Sequence, residues 1–269
     1  MTPSKGRRSV SVLARSFGGV AAWGTGRPDA GLEMVLDAVE TARQIKHSYS
    51  LALALTIGLS LVRFRRGEVD EAMVALDEAI EITRENQFPY FYARATAMHG
   101  LIETRIGCIE SGLARLKEGI AGFRSRGGHT TVPMMMVWLA DGQLSAHDPA
   151  AARAALEESL QLVEATGEAS HLAEINRLLG RAALALGNAD EAGRCFRTAY
   201  DTAERQGALG WRLRATLDLG EHMRANGDAD SAARLVANAL AAIEGGASSR
   251  DVRSAHAFVG HVHLPSISN

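Results

Sequence analysis

Lysine is almost absent from this chain of 269 residues: Lys5, Lys46 and Lys117 are the only ones, so arginine carries nearly all the positive charge. With a net charge of −2 there is no basic excess, and no basic stripe of the kind that nucleic acid or an anionic membrane would require. Cysteine is equally scarce. Cys108 and Cys195 stand far apart and outside any C-x-x-C or Cys/His cluster, which argues against a disulfide framework or a zinc module and predicts two reduced thiols in a cytoplasmic protein. No apolar run approaches the roughly 18 residues needed to span a bilayer. Lys5, Arg7 and Arg8 precede a moderately apolar stretch, as in a targeting peptide, but Arg15 interrupts it, and a first repeat helix is expected there instead. No G-x-x-x-x-G-K-[ST] segment is present, so the chain lacks that phosphate-cradling loop and its lysine. Strand signals are confined to Thr130-Thr131-Val132-Pro133, read as a linker.

What the chain does have is a period. Starting from Gly26, a loop position recurs at Gly67, Gly107, His147, Gly187 and Gly227, in one step of 41 residues and then steps of 40. Seven residues before each loop stands a small residue: Gly19, Ser60, Gly100, Ala140, Gly180 and Gly220. Five residues after it stands another, at Gly31, Ala72, Gly112, Ala152, Ala192 and Ala232. Then come a bulky apolar residue (Val35, Leu76, Leu116, Leu156, Phe196, Val236) and a third small one (Ala38, Ala79, Gly119, Ser159, Ala199, Ala239). Glycine inside a helix costs about 0.5–1 kcal/mol relative to alanine. Its recurrence mid-helix therefore predicts close approach of two helix backbones, with the bulky residue filling the space alongside. Spacings of four and three place the small and bulky positions of the second helix on one face.

Caps agree with this reading. Asp148-Pro149, Asn188 and Asp228 open second helices, and Gly127, Gly167 and Gly207 close them. The expected architecture is all-α: a right-handed α-solenoid of six helix hairpins at about 8–46, 47–87, 88–127, 128–167, 168–207 and 208–246. Residues 247–269 are expected to form a capping helix from Ser249 and a tail.

The columns resemble the tetratricopeptide repeat, here with a 40-residue unit in place of the basic 34. In the last third, Ala173-Glu174-Ile175-Asn176-Arg177-Leu178-Leu179-Gly180, Glu191 to Arg197 and Ala203 to Ala208 are similar to the C-terminal repeat region of bacterial class III nucleotide-cyclase/P-loop ATPase fusion proteins and of LuxR-type ATPase regulators. Trp211 to Ala215, Ser249 to Ala257, Gln87-Phe88-Pro89 and Ala22-Trp23-Gly24 extend the likeness over most of the chain. The resemblance implies a docking or regulatory module, and the residues themselves offer no catalytic set, no cofactor site and no metal site. It also implies that first helices line a concave binding face. By register that face would hold Phe17, Val20, Trp23, Ile57, Leu61, Phe64, Met98, Leu101, Val137 and Trp138, with Arg65, Arg105 and Asp141 among them. Arg177, Arg181, Asp218, Glu221 and Arg224 would make its later part charged. The same aromatic positions equally suit core packing.

The expected partner is a protein or peptide, or neighbouring domains of a larger signalling protein, with neither nucleic acid nor membrane. A small-molecule effector is the alternative, and the remnant of a cyclase without its catalytic domain a remoter one. His261 and His263 fall on the tail and read as solvated rather than as ligands, and His99 as a half-buried histidine. Met134-Met135-Met136 reads as core with partial exposure, since three consecutive helical residues point three ways.

Overall fold

Close packing of small residues sets the geometry of each hairpin. A computed structural model describes residues 3–127 and 130–260, which form thirteen helices and no strand. They are α1 (Pro3–Gly24), α2 (Pro28–Gln44), α3 (Ser48–Leu53 continuing through Ala54–Leu59 into Ser60–Arg66), α4 (Val69–Glu85), α5 (Pro89–Arg105), α6 (Ile109–Arg124) and α7 (Val132–Ser145). There follow α8 (Pro149–Thr166), α9 (Leu172–Ala185), α10 (Ala189–Arg205), α11 (Leu209–Ala225), α12 (Ala229–Ala241) and α13 (Arg250–Gly260). Odd-numbered helices from α1 to α11 pair with the even-numbered ones that follow them, and the odd set forms the inner wall.

Within hairpins the backbones nearly touch. A β-carbon added at Gly100 would lie 2.5 Å from the Gly112 carbonyl oxygen, and one at Gly19 would lie 2.6 Å from that of Gly31. At Gly180 it would meet the Phe196 ring at 2.5 Å. The bulky column is buried throughout, from Val35 to Val236. Asp148, Asn188 and Asp228 each accept a backbone N–H from the first turn, at 3.0, 3.2 and 3.3 Å. Val132 and Pro133 belong to the first turn of α7 rather than to a linker. Met134, Met135 and Met136 are all buried, so the run is core rather than a partly exposed surface.

The single 41-residue step has a structural cause. From one left-handed turn to the next, inner helices take 20 residues, as between Gln87 and Gly107, but α3 takes 21 between Lys46 and Gly67. Helix α3 absorbs the extra residue as a π-helical turn over Ala54–Leu59.

The array then closes on itself. Trp23 of α1 stacks edge-on against Trp211 of α11 at 4.9 Å. The Glu244 N–H donates to the Gly26 carbonyl at 2.7 Å, and the Gly246 N–H to the Asp29 carboxylate at 2.6 Å. Arg66 donates to Asp29 and to Ser248 Oγ, joining the second hairpin to the segment before α13. Asp29 is held below the usual carboxylate range by the Gly246 N–H and by Arg66. Helix α13 covers the last hairpin with Val252, Ala255 and Phe258. His261 and His263 lie outside the described residues.

Candidate functional site

Closure turns the expected groove into an interior. Trp23, Phe64, Leu101, Trp138, Arg65 and Arg177 are buried, so these residues do not form an open strip for a partner. The reason is contact across the ring. Repeat periodicity assigns them to the inner wall, and the opposite wall then covers them. Phe17 remains half exposed, Arg105 is partly exposed and ion-paired with Asp141, and Arg181 is exposed. The charged later part of the face is largely self-neutralised, since Arg177 pairs with Asp218 at 2.5 Å and Arg224 pairs with Glu221.

At the centre lies a network of buried charge. Glu174 accepts from Arg177 at 2.7 and 2.8 Å and from Arg214 at 3.3 Å, while Arg214 also donates to Asp251 at 2.9 Å. Burial pushes the Glu174 carboxyl up, but Arg177 and Arg214 more than offset it and hold the group far below the carboxylate range. Asp251 is likewise held low, because Arg214 and Arg250 outweigh its burial. Buried ions of this kind persist only when paired and hydrogen-bonded.

Two buried guanidinium groups break that rule. Arg65 lies beside the edge-to-face pair of Trp23 and Trp211, its guanidinium carbon 4.6 and 4.8 Å from the two ring centres, within cation–π range of both. Arg94 lies 5.5 Å from the Trp138 ring. Its Nε reaches only the Thr56 carbonyl, at 3.5 Å, and an Nη only the Met134 sulfur, at 4.0 Å. Neither arginine has a carboxylate partner among the described residues. Burial, with Arg214 nearby, lowers Arg65 to about 9, and burial lowers Arg94 to about 10.

Beside them, His171 stacks on Trp211 with ring centres 5.9 Å apart and holds the Ser170 hydroxyl through Nδ1 at 2.8 Å. Its Nε2 has no partner among the described residues. Burial and the nearby Arg65 push this imidazole down to about 3, so it is neutral.

Two cavities share Leu61, Arg65 and His171 in their walls. The inner one, only about 30 Å³, is lined by Phe64, Leu101, Trp138, Arg105 and Glu174. The outer one, about 370 Å³ and open to solvent, is a mouth bounded by Phe17, Val20, Ile57, Tyr90, Arg94 and Met134. The mouth falls within the size range of ligand pockets. No group of three His, Cys, Asp or Glu among the described residues is arranged to hold a metal ion. No described helix is long and apolar enough to cross a membrane. Both cysteines are free thiols, and burial pushes that of Cys195 up.

Sequence reasoning found Arg65, Trp23 and Trp138 but missed Arg94, His171, Glu174 and Arg214. A signal for three of these was present. Arg94, Met134, Glu174 and Arg214 all stand 13 residues before their loops, a buried column in which three of four residues carry charge.

The helices, their period and their closely packed small columns define the class of protein: a tetratricopeptide-type α-solenoid. The family model described as "Tetratricopeptide repeat" matches residues 177–198 and 213–238. That described as "Anaphase-promoting complex subunit 5" matches 55–91 and 88–143. No curated protein matches the chain in sequence. Among solved structures, the apo form of RapI is similar with a TM-score of 0.64 at 10% identity, covering 95% of this chain and 85% of that one. A Rap protein complexed with Competence and Sporulation Factor gives 0.62 at 12% identity, covering 93% and 73%. BtubC from P. vanneervenii gives 0.56 at 17% identity, covering 88% and 94%. At such identities the likeness is one of fold.

Proposed function

We propose that this chain is a regulatory interaction module of a bacterial signalling or transcription-regulatory system, and that it receives a short segment of its partner at the mouth between α1, α3, α5 and α7. One observation carries the reading. The inner wall is closed by the contact of α1 with α11, leaving a mouth of about 370 Å³ rimmed by the half-exposed Phe17. Such an opening is too small for a folded domain and suits a chain segment or an effector of similar size. The fold shared with a Rap protein complexed with Competence and Sporulation Factor, and with the quorum sensor NprR from B. thuringiensis, supports a regulatory role. The resemblance to cyclase/ATPase fusion proteins and LuxR-type regulators suggests that the partner is a domain of such a system. The proposed role is binding, not catalysis.

A photo-crosslinking residue placed at Phe17, compared with one at the outward-facing Val74, tests this. Crosslinks to the partner are expected from position 17 and not from 74. Phe17→Glu is expected to lose the partner with an unchanged melting temperature, because the side chain is half exposed. Equal capture from both positions, or a partner retained by Phe17→Glu, would refute the mouth as the docking site. Nucleotide turnover by the purified protein would refute the non-catalytic role.

A further inference from the structure

We propose that the mouth binds a small carboxylate with an apolar body, its carboxylate held by Arg94 and Arg65. This deepens the reading above by naming an effector for the same opening, and rests on it only for regulatory meaning. A buried cation without an anion is costly, because burial penalises the charge and nothing returns the lost hydration. Arg94 is 5% exposed and Arg65 6%, yet neither has a carboxylate within reach among the described residues. Every other strongly buried arginine of the inner wall does: Arg177 and Arg214 share Glu174, and Arg66 has Asp29 and Glu68. Arg94 and Arg65 both face the outer cavity, so an anion entering there would complete the pattern found elsewhere in the same wall.

The surroundings select the kind of anion. Ile57, Leu61, Val20, Phe17 and Met134 supply aliphatic and aromatic walls, which an inorganic ion would leave unused. Glu168 at the rim disfavours a multiply charged group such as phosphate, whereas one carboxylate matches the planar fork of a guanidinium. The π-turn of α3 contributes independently. It lies on the wall of this cavity at Ile57 and presents the Thr56 carbonyl to Arg94 Nε at 3.5 Å, orienting the guanidinium beside the opening. Single π-turns inside α-helices are frequent at functional sites.

The test is direct binding to the full chain, with no partner present. Octanoate and phenylacetate are titrated against octanamide, phenylacetamide and inorganic phosphate. The readouts are calorimetry, melting temperature and the fluorescence of Trp138, Trp23 and Trp211, which lie against the two guanidinium groups. At least one carboxylate is expected to bind saturably and raise the melting temperature, with its amide at least about tenfold weaker, as for loss of a charge-assisted pair. Arg94→Met is expected to weaken that carboxylate about tenfold or more while melting no lower than wild type, since it replaces an unpaired buried charge with an apolar chain.

Three results would overturn the proposal: no saturable binding of either carboxylate, amides binding as well as acids, or phosphate binding more tightly than both. Unchanged carboxylate affinity in Arg94→Met would do so as well. If that variant does not fold, the wild-type comparison of acid with amide decides alone. Carboxylate binding without crosslinks at position 17 would uphold this site and remove the docking reading, and the reverse result would do the opposite.

Discussion

At the scale of single residues, the interior is organised by arginine. Its planar guanidinium can pair with two carboxylates, as Arg177 does with Glu174 and Asp218, or lie against aromatic rings, as Arg65 does against Trp23 and Trp211. A lysine offers neither geometry. His171 shares this environment and supplies a pH dependence. Unfolded, it takes up a proton near pH 6.5, whereas burial keeps the folded imidazole neutral down to about 3. Across that window the unfolded chain binds more protons, so stability falls as pH falls. Glu174 and Asp251, held low in the fold, add a loss of the same sign below about pH 4.5, where the unfolded carboxylates protonate. The melting temperature is therefore expected to be lower at pH 5 than at pH 7.5, and His171→Gln to shrink that difference. An equal drop in the variant would show that the dependence arises elsewhere.

At the scale of helices, the small columns do the specifying, and this part of the fold was legible in sequence. Gly100, Gly180 and Ala192 recur at fixed offsets because a backbone or a bulky ring lies against each column, and a physical constraint repeated six times leaves a visible period. Gly180→Leu is expected to destabilise by about 1–3 kcal/mol or more, since Phe196 occupies the space its side chain would need. Arg153→Ala, which removes pairs with Glu157 and Glu191 on the outer surface, should cost less than about 1 kcal/mol. Thermal or urea melts that rank the two substitutions the other way would contradict the packing. The π-turn was present in sequence only as one extra residue between Gly26 and Gly67. A count of spacing locates an insertion without saying whether a loop or a helix absorbs it. The site was less legible still. Phe64, Trp138 and Arg65 fall on the inner wall by register, but whether that wall faces solvent or another wall depends on curvature, which the period does not encode. Arg94 therefore drew no notice, although its column also contains Glu174 and Arg214.

At the scale of the whole molecule, closure changes how stability is shared. In an open solenoid each repeat touches only its neighbours, and damage at one end stays there. Here Trp23 meets Trp211, and Arg66 meets Ser248. Ending the chain at Gly246 would remove α13, strip Asp251 from the buried Arg214 and free Arg66 from Ser248. The expected loss is at least about 3–5 kcal/mol, the cost of breaking a buried ion pair from one side, with the burial of Val252, Ala255 and Phe258 lost besides. Hydrogen exchange should show reduced protection in α1 and α2, nearly the full chain length away from the cut. Reduced protection confined to α11 and α12 would mean that the ends do not support each other.

The same seam restricts how such a protein can change over generations. Repeat arrays readily gain or lose units by recombination, because an added hairpin only lengthens an open spiral. In this chain a seventh unit would push Leu209 away from Gly26 and part the tryptophan pair, and loss of one of the six would leave a gap there. Substitutions within a unit remain open to selection, while the number of units does not. Descendants of this architecture should vary in the composition of the mouth and keep their count of hairpins.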